Sequence, residues 1–338
     1  MIDRNTAAAI EINNLKIGYF SSRGETQFCR DAIRFTAGKG ETVALIGPNG
    51  IGKSTLLRTM AGYLKPLHGD ILWHGKSVGH FTSRELSRMI SFVSTENLQL
   101  PNMAVAELVA FGRFPYTNWL GHLHDADKNA VMESLDKVGM TKFARRQVVQ
   151  LSDGERQRVL IARALAQDTP FIILDEPTAF LDISNKYEIF HLLRQLAGQH
   201  GKTIVLSTHD LNIALRETDK LWLMLEQESR EGAPEEAALN GWLSHLFNNP
   251  MIGFDTSGGD FFFTRKPAGK AFVEGEGDSA VWTIRALERK GFSITTEKEA
   301  QARILVHVQE NSGKTIWQLN SAGELQEFES IHKLLQAL

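Results

Sequence analysis

Residues 43–55 read Val43-Ala44-Leu45-Ile46-Gly47-Pro48-Asn49-Gly50-Ile51-Gly52-Lys53-Ser54-Thr55. A continuous apolar run predicts a strand buried on both faces of a parallel sheet. The glycines that follow let backbone N–H groups face a phosphate at close range. A helix is expected from near Lys53, with its N-terminus turned to the same anion. The spacing Gly-x-x-x-x-Gly-Lys-Ser is that of a nucleotide phosphate-binding loop. Gly47, Asn49, Gly50, Gly52, Lys53, Ser54 and Thr55 are therefore candidates for ATP binding. Lys53 is the expected partner of the β- and γ-phosphates, and Ser54 a ligand of Mg²⁺.

A second apolar strand is expected over Phe171 to Leu174, followed by Asp175, Glu176 and Pro177. Open α/β sheets bind ligands at the carboxyl ends of their strands. Asp175 reads as the carboxylate that holds Mg²⁺, and Glu176 as the general base for an attacking water. A surface ion pair at a strand end is the plain alternative, but phosphoryl transfer needs both the loop and the carboxylates.

Three further segments complete a fixed order along the chain: Leu151-Ser152-Asp153-Gly154-Glu155, Phe180-Leu181-Asp182 and Ser207-Thr208-His209-Asp210. With them the chain resembles the ATP-binding-cassette (ABC) ATPases, the nucleotide-binding subunits of ABC transporters. The resemblance implies that Ser152, Gly154 and Glu155 form the signature, which contacts the ATP held by a second copy of the chain. Arg156 to Ala166 would be the helix behind it, and Ser152 with Glu155 also fits an ordinary capping box. By the same resemblance, Asp182 lies in the loop that couples the two ATP sites. His209, after the apolar strand Ile204-Val205-Leu206, is the histidine facing the γ-phosphate. Tyr19 matches the aromatic that stacks on adenine, with Phe20 as a rival.

Two departures stand out. The family's glutamine between loop and signature is missing, since Ile90 to Val93 leads into Ser94-Thr95-Glu96-Asn97. Thr95 or Glu96 offers an oxygen to a hard cation in its place, and Gln99 would need a shifted register. Asp153 stands where the signature usually has glycine, and a carboxylate near phosphate is unfavourable unless it turns outward.

The stretch Val105 to Tyr116, with Glu107-Leu108-Val109 and Gly112-Arg113-Phe114-Pro115-Tyr116, resembles importers of ferric siderophores, haem and vitamin B12. It implies a helical subdomain that docks on a permease. Trp119 lies just beyond it, on an expected loop.

The chain has 338 residues and a net charge of −3, so no basic field draws it to nucleic acid. No apolar run approaches the roughly 20 residues of a membrane-spanning helix. The first residues lack a signal-peptide pattern, and the single Cys29 suits a reducing cytoplasm. The expected class is α/β: a P-loop NTPase of the ABC type, a RecA-like core plus helical subdomain, with a small C-terminal α+β domain. The cassette should span 1–266, with its helical subdomain over about 75–165, and the accessory domain 268–338. Within the cassette, Asp219 to Leu225 reads as a strand, Ala237 to Phe247 as a helix and Asp260 to Phe263 as a final edge strand. In the accessory domain, strands are expected at Ala271–Val273, Phe292–Thr295, Ile304–Val308 and Ile316–Leu319, and helices at Ala280–Lys290 and around Ile331–Leu338. His307 and His332 read as isolated there. Packing or dimer support and ligand sensing are both open as its role.

The resulting expectation is an ATP hydrolase using ATP and Mg²⁺, peripheral on the cytoplasmic face of the inner membrane. It would energise uptake of an iron-siderophore, haem or cobalamin-type chelate. Its partners would be a permease dimer, an extracytoplasmic substrate-binding protein and a second copy of itself. A soluble ABC-type protein acting on ribosomes or DNA, and a weakly hydrolysing ATP-binding module, are the rival readings.

Overall fold

A computed structural model describes residues 8–20, 26–94, 101–118, 121–247, 249, 251–256, 258–264, 268–295, 304–311, 314–321 and 324–338. The chain divides into two compact units, Met1–Asn248 with Phe254–Phe261, and Asn249–Gly253 with Phe262–Leu338.

The first unit opens with β1 (Ile10–Phe20), β2 (Thr26–Ala37), β3 (Thr42–Ile46), α1 (Lys53–Met60), β4 (His68–Trp73) and β5 (Lys76–Ser77). It continues through α2 (Ser83–Met89), β6 (Ile90–Val93), α3 (Val105–Ala110), α4 (Asp125–Lys137), α5 (Asp153–Ala166) and β7 (Phe171–Leu174). Then come α6 (Ile183–His200), β8 (Thr203–Ser207), α7 (Leu211–Glu217), β9 (Lys220–Met224), β10 (Ser229–Gly232) and α8 (Pro234–Leu239). The ribbon strands β11 (Ile252–Asp255) and β12 (Asp260–Phe263) come next in the chain, each divided between the two units.

A six-stranded sheet has the order β10-β9-β3-β8-β7-β6. Its strands β9, β3, β8, β7 and β6 pair in parallel, and β10 is antiparallel to β9. Strands β3, β7 and β8 are buried along their whole length, as their apolar runs demand. A four-stranded antiparallel sheet, β2-β1-β4-β5, packs against it. The alternation Ile10, Ile12, Leu15 and Ile17 on β1 meets Leu56, Trp73, Phe171 and Trp222 in one core. Phe35 stacks on Trp222 with centroids 4.9 Å apart. Each such buried aromatic contributes roughly 3 kcal/mol.

The helical subdomain rests on α5, against which α3 and α4 pack. It is narrower than the expected span 75–165, because Lys76–Ser77 pairs with β4 and Ile90–Val93 is an edge of the central sheet. The helix expected over Ala237 to Phe247 is broken. Pro234 starts α8, and Gly241 at φ 70° ends it before a short 3-10 turn at Trp242–His245. Asp260 to Phe263 is not the edge of the main sheet; it pairs with β11 in a separate two-stranded ribbon. Among the described residues, no helix is long and apolar enough to cross a membrane.

The second unit contains β13 (Gly269–Glu274), α9 (Gly277–Arg289), β14 (Phe292–Ile294), β15 (Ile304–Asn311), β16 (Lys314–Ser321), β17 (Glu324–Phe328) and α10 (Ile331–Gln336). Its sheet order is β14-β13-β15-β16-β17, with β13 parallel to both neighbours and the rest antiparallel. Ala286, Leu287, Val306, Trp317, Leu319, Leu334 and Leu335 form its core. Inside that core Trp317 Nε1 donates to Thr283 Oγ1 at 2.7 Å. Strand β17 was not expected, because its Glu-Leu-Gln-Glu stretch is exposed and lacks an apolar face. His307 is not isolated: its Nδ1 lies 3.2 Å from Glu274 Oε2.

Candidate active site

The glycine-rich loop leaves β3 at Gly47, where a Cβ would stand 2.5 Å from the Met224 carbonyl of β9. Only glycine passes that point without moving the sheet. Gly52 closes the turn at φ 104°, a left-handed conformation that frees the next residues to start α1. Asn49 and Gly50 stand exposed at the crest. Ser54 and Thr55 follow in the first turn of α1, half-buried. Lys53 is 6% exposed, and its Nζ donates to the carbonyls of Gly47 at 2.8 Å and Pro48 at 3.1 Å. Burial pushes the Lys53 ammonium below its ordinary range, while the charges of Glu176 and Asp175 pull the other way.

At the end of β7 the Asp175 carboxylate is 4% exposed. Its Oδ1 accepts from Ser54 Oγ at 3.0 Å and from Ser207 Oγ at 2.8 Å. The loop hydroxyl and the strand-end carboxylate, 121 positions apart, thus share one point in space. Among the described residues no group of three or more His, Cys, Asp or Glu side chains could hold a metal ion. One hydroxyl beside one carboxylate is nonetheless the share Mg²⁺ takes from protein when phosphates and water supply the rest.

Glu176 adopts φ 47°, outside the usual range for a non-glycine residue. Strain of this kind, about 1–3 kcal/mol, collects at functional sites. Its Oε1 lies 2.9 Å from His209 Nε2. With the ring proton on Nε2, the histidine donates to the carboxylate and holds it. Behind them, Asp210 accepts from Thr178 Oγ1 at 2.7 Å and from Lys186 Nζ at 2.6 Å. That pair of bonds ties the segment after Glu176 to the segment after His209. No motif in the sequence marks Thr178 or Lys186, and Ser207 enters only as a flank of His209. The signal for Ser207 was a lone hydroxyl closing an apolar strand.

The remaining candidates sit elsewhere. Tyr19 is 47% exposed at the end of β1. Ser152 caps α5: its Oγ accepts from the Glu155 amide and Glu155 Oε2 accepts from the Ser152 amide, a full capping box. Asp153 turns outward and pairs with Arg156 at 3.2 Å. Gly154 is buried against Asn185, where a Cβ would meet Oδ1 at 2.7 Å. Asn185 is itself held by Asp182, which caps α6 through the Asn185 amide at 2.8 Å. The segment around Ser152 and Gly154 and the segment around Asp182 therefore meet through one asparagine. Thr95, Glu96, Gln99, Trp119 and Lys266 lie outside the described residues, as does the Phe20 side chain.

The stretch Val105 to Tyr116 is partly internal: Val105, Leu108, Val109 and Gly112 are buried. Arg113 Nε donates to Asp127 Oδ1 at 2.9 Å and its Nη1 to the Ala166 carbonyl at 2.8 Å. Tyr116 lies under the Arg113 guanidinium and donates to the Gln167 carbonyl at 3.0 Å. Phe111 and Phe114 remain exposed beside them. A cleft of about 440 Å³, lined by Arg58, Tyr63, Phe92, Ser94, Leu160 and Arg163, opens between the sheet edge and α5.

Residues 31–179 match the family described as ABC transporter, and residues 268–338 the iron ABC transporter C-terminal domain. The chain is 34% identical over 288 residues to the uncharacterized ABC transporter ATP-binding protein MJ0873 of Methanocaldococcus jannaschii, covering 84% of this chain and 98% of that one. It is 38% identical over 241 residues to the achromobactin transport ATP-binding protein CbrD of Dickeya dadantii, covering 71% and 88%. A solved ABC transporter assigned to the metal-chelate type, in an inward-facing conformation, aligns with a TM-score of 0.62 at 30% identity, over 76% of this chain and 96% of that one. The chain belongs to the ABC transporter family, as an ATP-hydrolysing cassette with an added C-terminal domain.

Proposed function

We propose that this chain is the ATPase subunit of a metal-chelate importer, working as a dimer on a separate permease. The contact of Glu176 with His209, beside the shared Ser54–Asp175 point, carries the reading, because it assembles the groups that water attack requires. Lys53 and the backbone amides of residues 49–52 would hold the β- and γ-phosphates. Ser54 and Asp175 would hold Mg²⁺, which when bound neutralises charge on the phosphate oxygens. The Glu176 carboxylate takes a proton from water while the water oxygen bonds to the γ-phosphorus. The bond from that phosphorus to the bridging oxygen breaks, leaving ADP and phosphate. His209 keeps Glu176 aimed, and fixed donors around the phosphate stabilise the developing charge.

Ser152 and Gly154 would complete the site of the other protomer, with Glu155 holding the signature turn. A symmetric pair then encloses two ATP molecules. The exposed Phe111 and Phe114 and the cleft near Ser94 are the proposed permease contacts. The chelate class, whether iron-siderophore, haem or cobalamin type, is supported by the iron-linked C-terminal match and the metal-chelate structure. The subunit would be peripheral on the cytoplasmic face of the inner membrane, opposite a substrate-binding protein.

Affinity purification of the full chain from native membranes, read by mass spectrometry, tests this. Recovery of a polytopic permease with a binding protein is expected. Recovery of ribosomes or DNA-repair proteins without a permease would overturn the transport role and leave the ATP site intact.

A further inference from the structure

Ser207 closes β8 with no exposed surface, paired with Leu45 of β3 and one step beyond the ladder with β7. The three residues before it, Ile204, Val205 and Leu206, are apolar and buried. An apolar residue would serve the strand equally well at this position. The hydroxyl instead makes two bonds in opposite senses. It donates to Asp175 Oδ1 at 2.8 Å and accepts from the Glu176 amide at 2.9 Å. Glu176 is the residue held at φ 47°. The same Asp175 oxygen receives Ser54 Oγ at 3.0 Å. One buried hydroxyl therefore fixes both the metal-facing carboxylate and the unusual backbone turn that aims the base at His209.

We propose that Ser207 is a positioning residue for ATP hydrolysis, acting through Asp175 and Glu176 and not on the nucleotide itself. This rests on the reading of Glu176 as the base. Removing the hydroxyl takes one donor from Asp175 and leaves the Glu176 amide without its acceptor. The left-handed turn then loses the bond that secures it, while the phosphate loop and the adenine contact are untouched. Turnover should suffer and nucleotide binding should not. Groups that support metal ligands from behind typically act in this way, with losses of about 10–100-fold.

The test compares wild type, Ser207→Ala, Ser207→Thr and Glu176→Gln in the full chain, purified in the complex that supports wild-type turnover. Ser207→Ala is expected to lower kcat by about 10-fold or more with KM for ATP nearly unchanged. Ser207→Thr, which keeps the hydroxyl, should restore most of it. A second readout is free of turnover: calorimetry of ADP with and without Mg²⁺. The gain in affinity that Mg²⁺ confers should shrink in Ser207→Ala, while metal-free ADP binds as to wild type. Wild-type kcat in Ser207→Ala, equal damage in the Ala and Thr variants, or an unchanged Mg²⁺ gain overturns the proposal. Wild-type turnover by Glu176→Gln overturns the reading of the base, and the proposal with it. Inactive Glu176→Gln beside fully active Ser207→Ala sinks the Ser207 role alone.

Discussion

Glu176 and Gly47 show how single positions set the chemistry. Glu176 combines an unusual φ of 47° with a 2.9 Å contact to His209, so its carboxylate is aimed at the cost of backbone strain. Glu176→Gln keeps the shape and the contact distance but removes the carboxylate proposed as proton acceptor. It should bind ATP with wild-type affinity and lose turnover by about 10²–10⁴-fold, the usual worth of a general base. Nucleotide-binding fluorescence and a phosphate-release assay separate the two effects. Gly47 is constrained differently, by the Met224 carbonyl 2.5 Å from where a Cβ would be. A backbone carbonyl in a parallel sheet cannot swing aside. Gly47→Ala should therefore destabilise the fold by about 1–3 kcal/mol and displace the loop, so that ATP affinity falls in the same titration.

At the scale of elements, a largely buried ion pair ties α4 to the turn after α3 in the helical subdomain. Arg113 and Asp127 have side chains 13% and 7% exposed, and Arg113 also reaches the last carbonyl of α5. Asp127→Ala leaves a buried guanidinium without its carboxylate and should cost about 3 kcal/mol in a urea melt. The paired change Arg113→Met with Asp127→Leu should recover most of that loss, because replacing both charges removes the desolvation cost of each. Burial pushes the Asp127 carboxyl up, but Arg113 and the His124 amide outweigh it and hold it below the ordinary carboxylate range. A depressed carboxylate stabilises the fold above its unfolded pKa, near 4, and loses that contribution as pH falls further. The stability gap between wild type and Asp127→Ala should be full at neutral pH and narrow below about pH 4. The motif that points to a branch of importers is thus, in this chain, first a packing device.

At the scale of the whole molecule, apolar side chains lie bare near the proposed site. Phe180 is 94% exposed and Ile183 73%, both in the segment around Asp182. Apolar surface of this kind beside a reaction centre is suited to burial by a second copy. Glu176→Gln with ATP should run as a dimer by light scattering, and the same protein with ADP as a monomer. Adding Phe180→Asp should return it to monomer. The proposed site residues all lie in the first unit. Deleting 268–338 should accordingly leave the turnover of the cassette unchanged, and any loss would assign the second unit a role in assembly or control.

What the sequence determined by itself was local: the phosphate loop, the apolar parallel strands, the strand-end carboxylates and the family they denote. These follow from residue type and short spacing: Gly47 and Lys53 are recognised by their own loop, and Asp175 and Glu176 by their strand end once that loop is present. Its errors came where context overrides pattern. Ala237 to Phe247 has helical periodicity, but Gly241 breaks it. Strand β17 has no apolar face and exists because β16 offers an edge. The tertiary structure alone decided which groups meet. Ser207 and Asp175 are 32 positions apart, as are Thr178 and Asp210, and only parallel strands ending side by side bring them within 3 Å. A hydroxyl closing an apolar strand stands out in the sequence, but its partners do not. Its role comes from the neighbouring strand, which places a carboxylate and a strained amide against it.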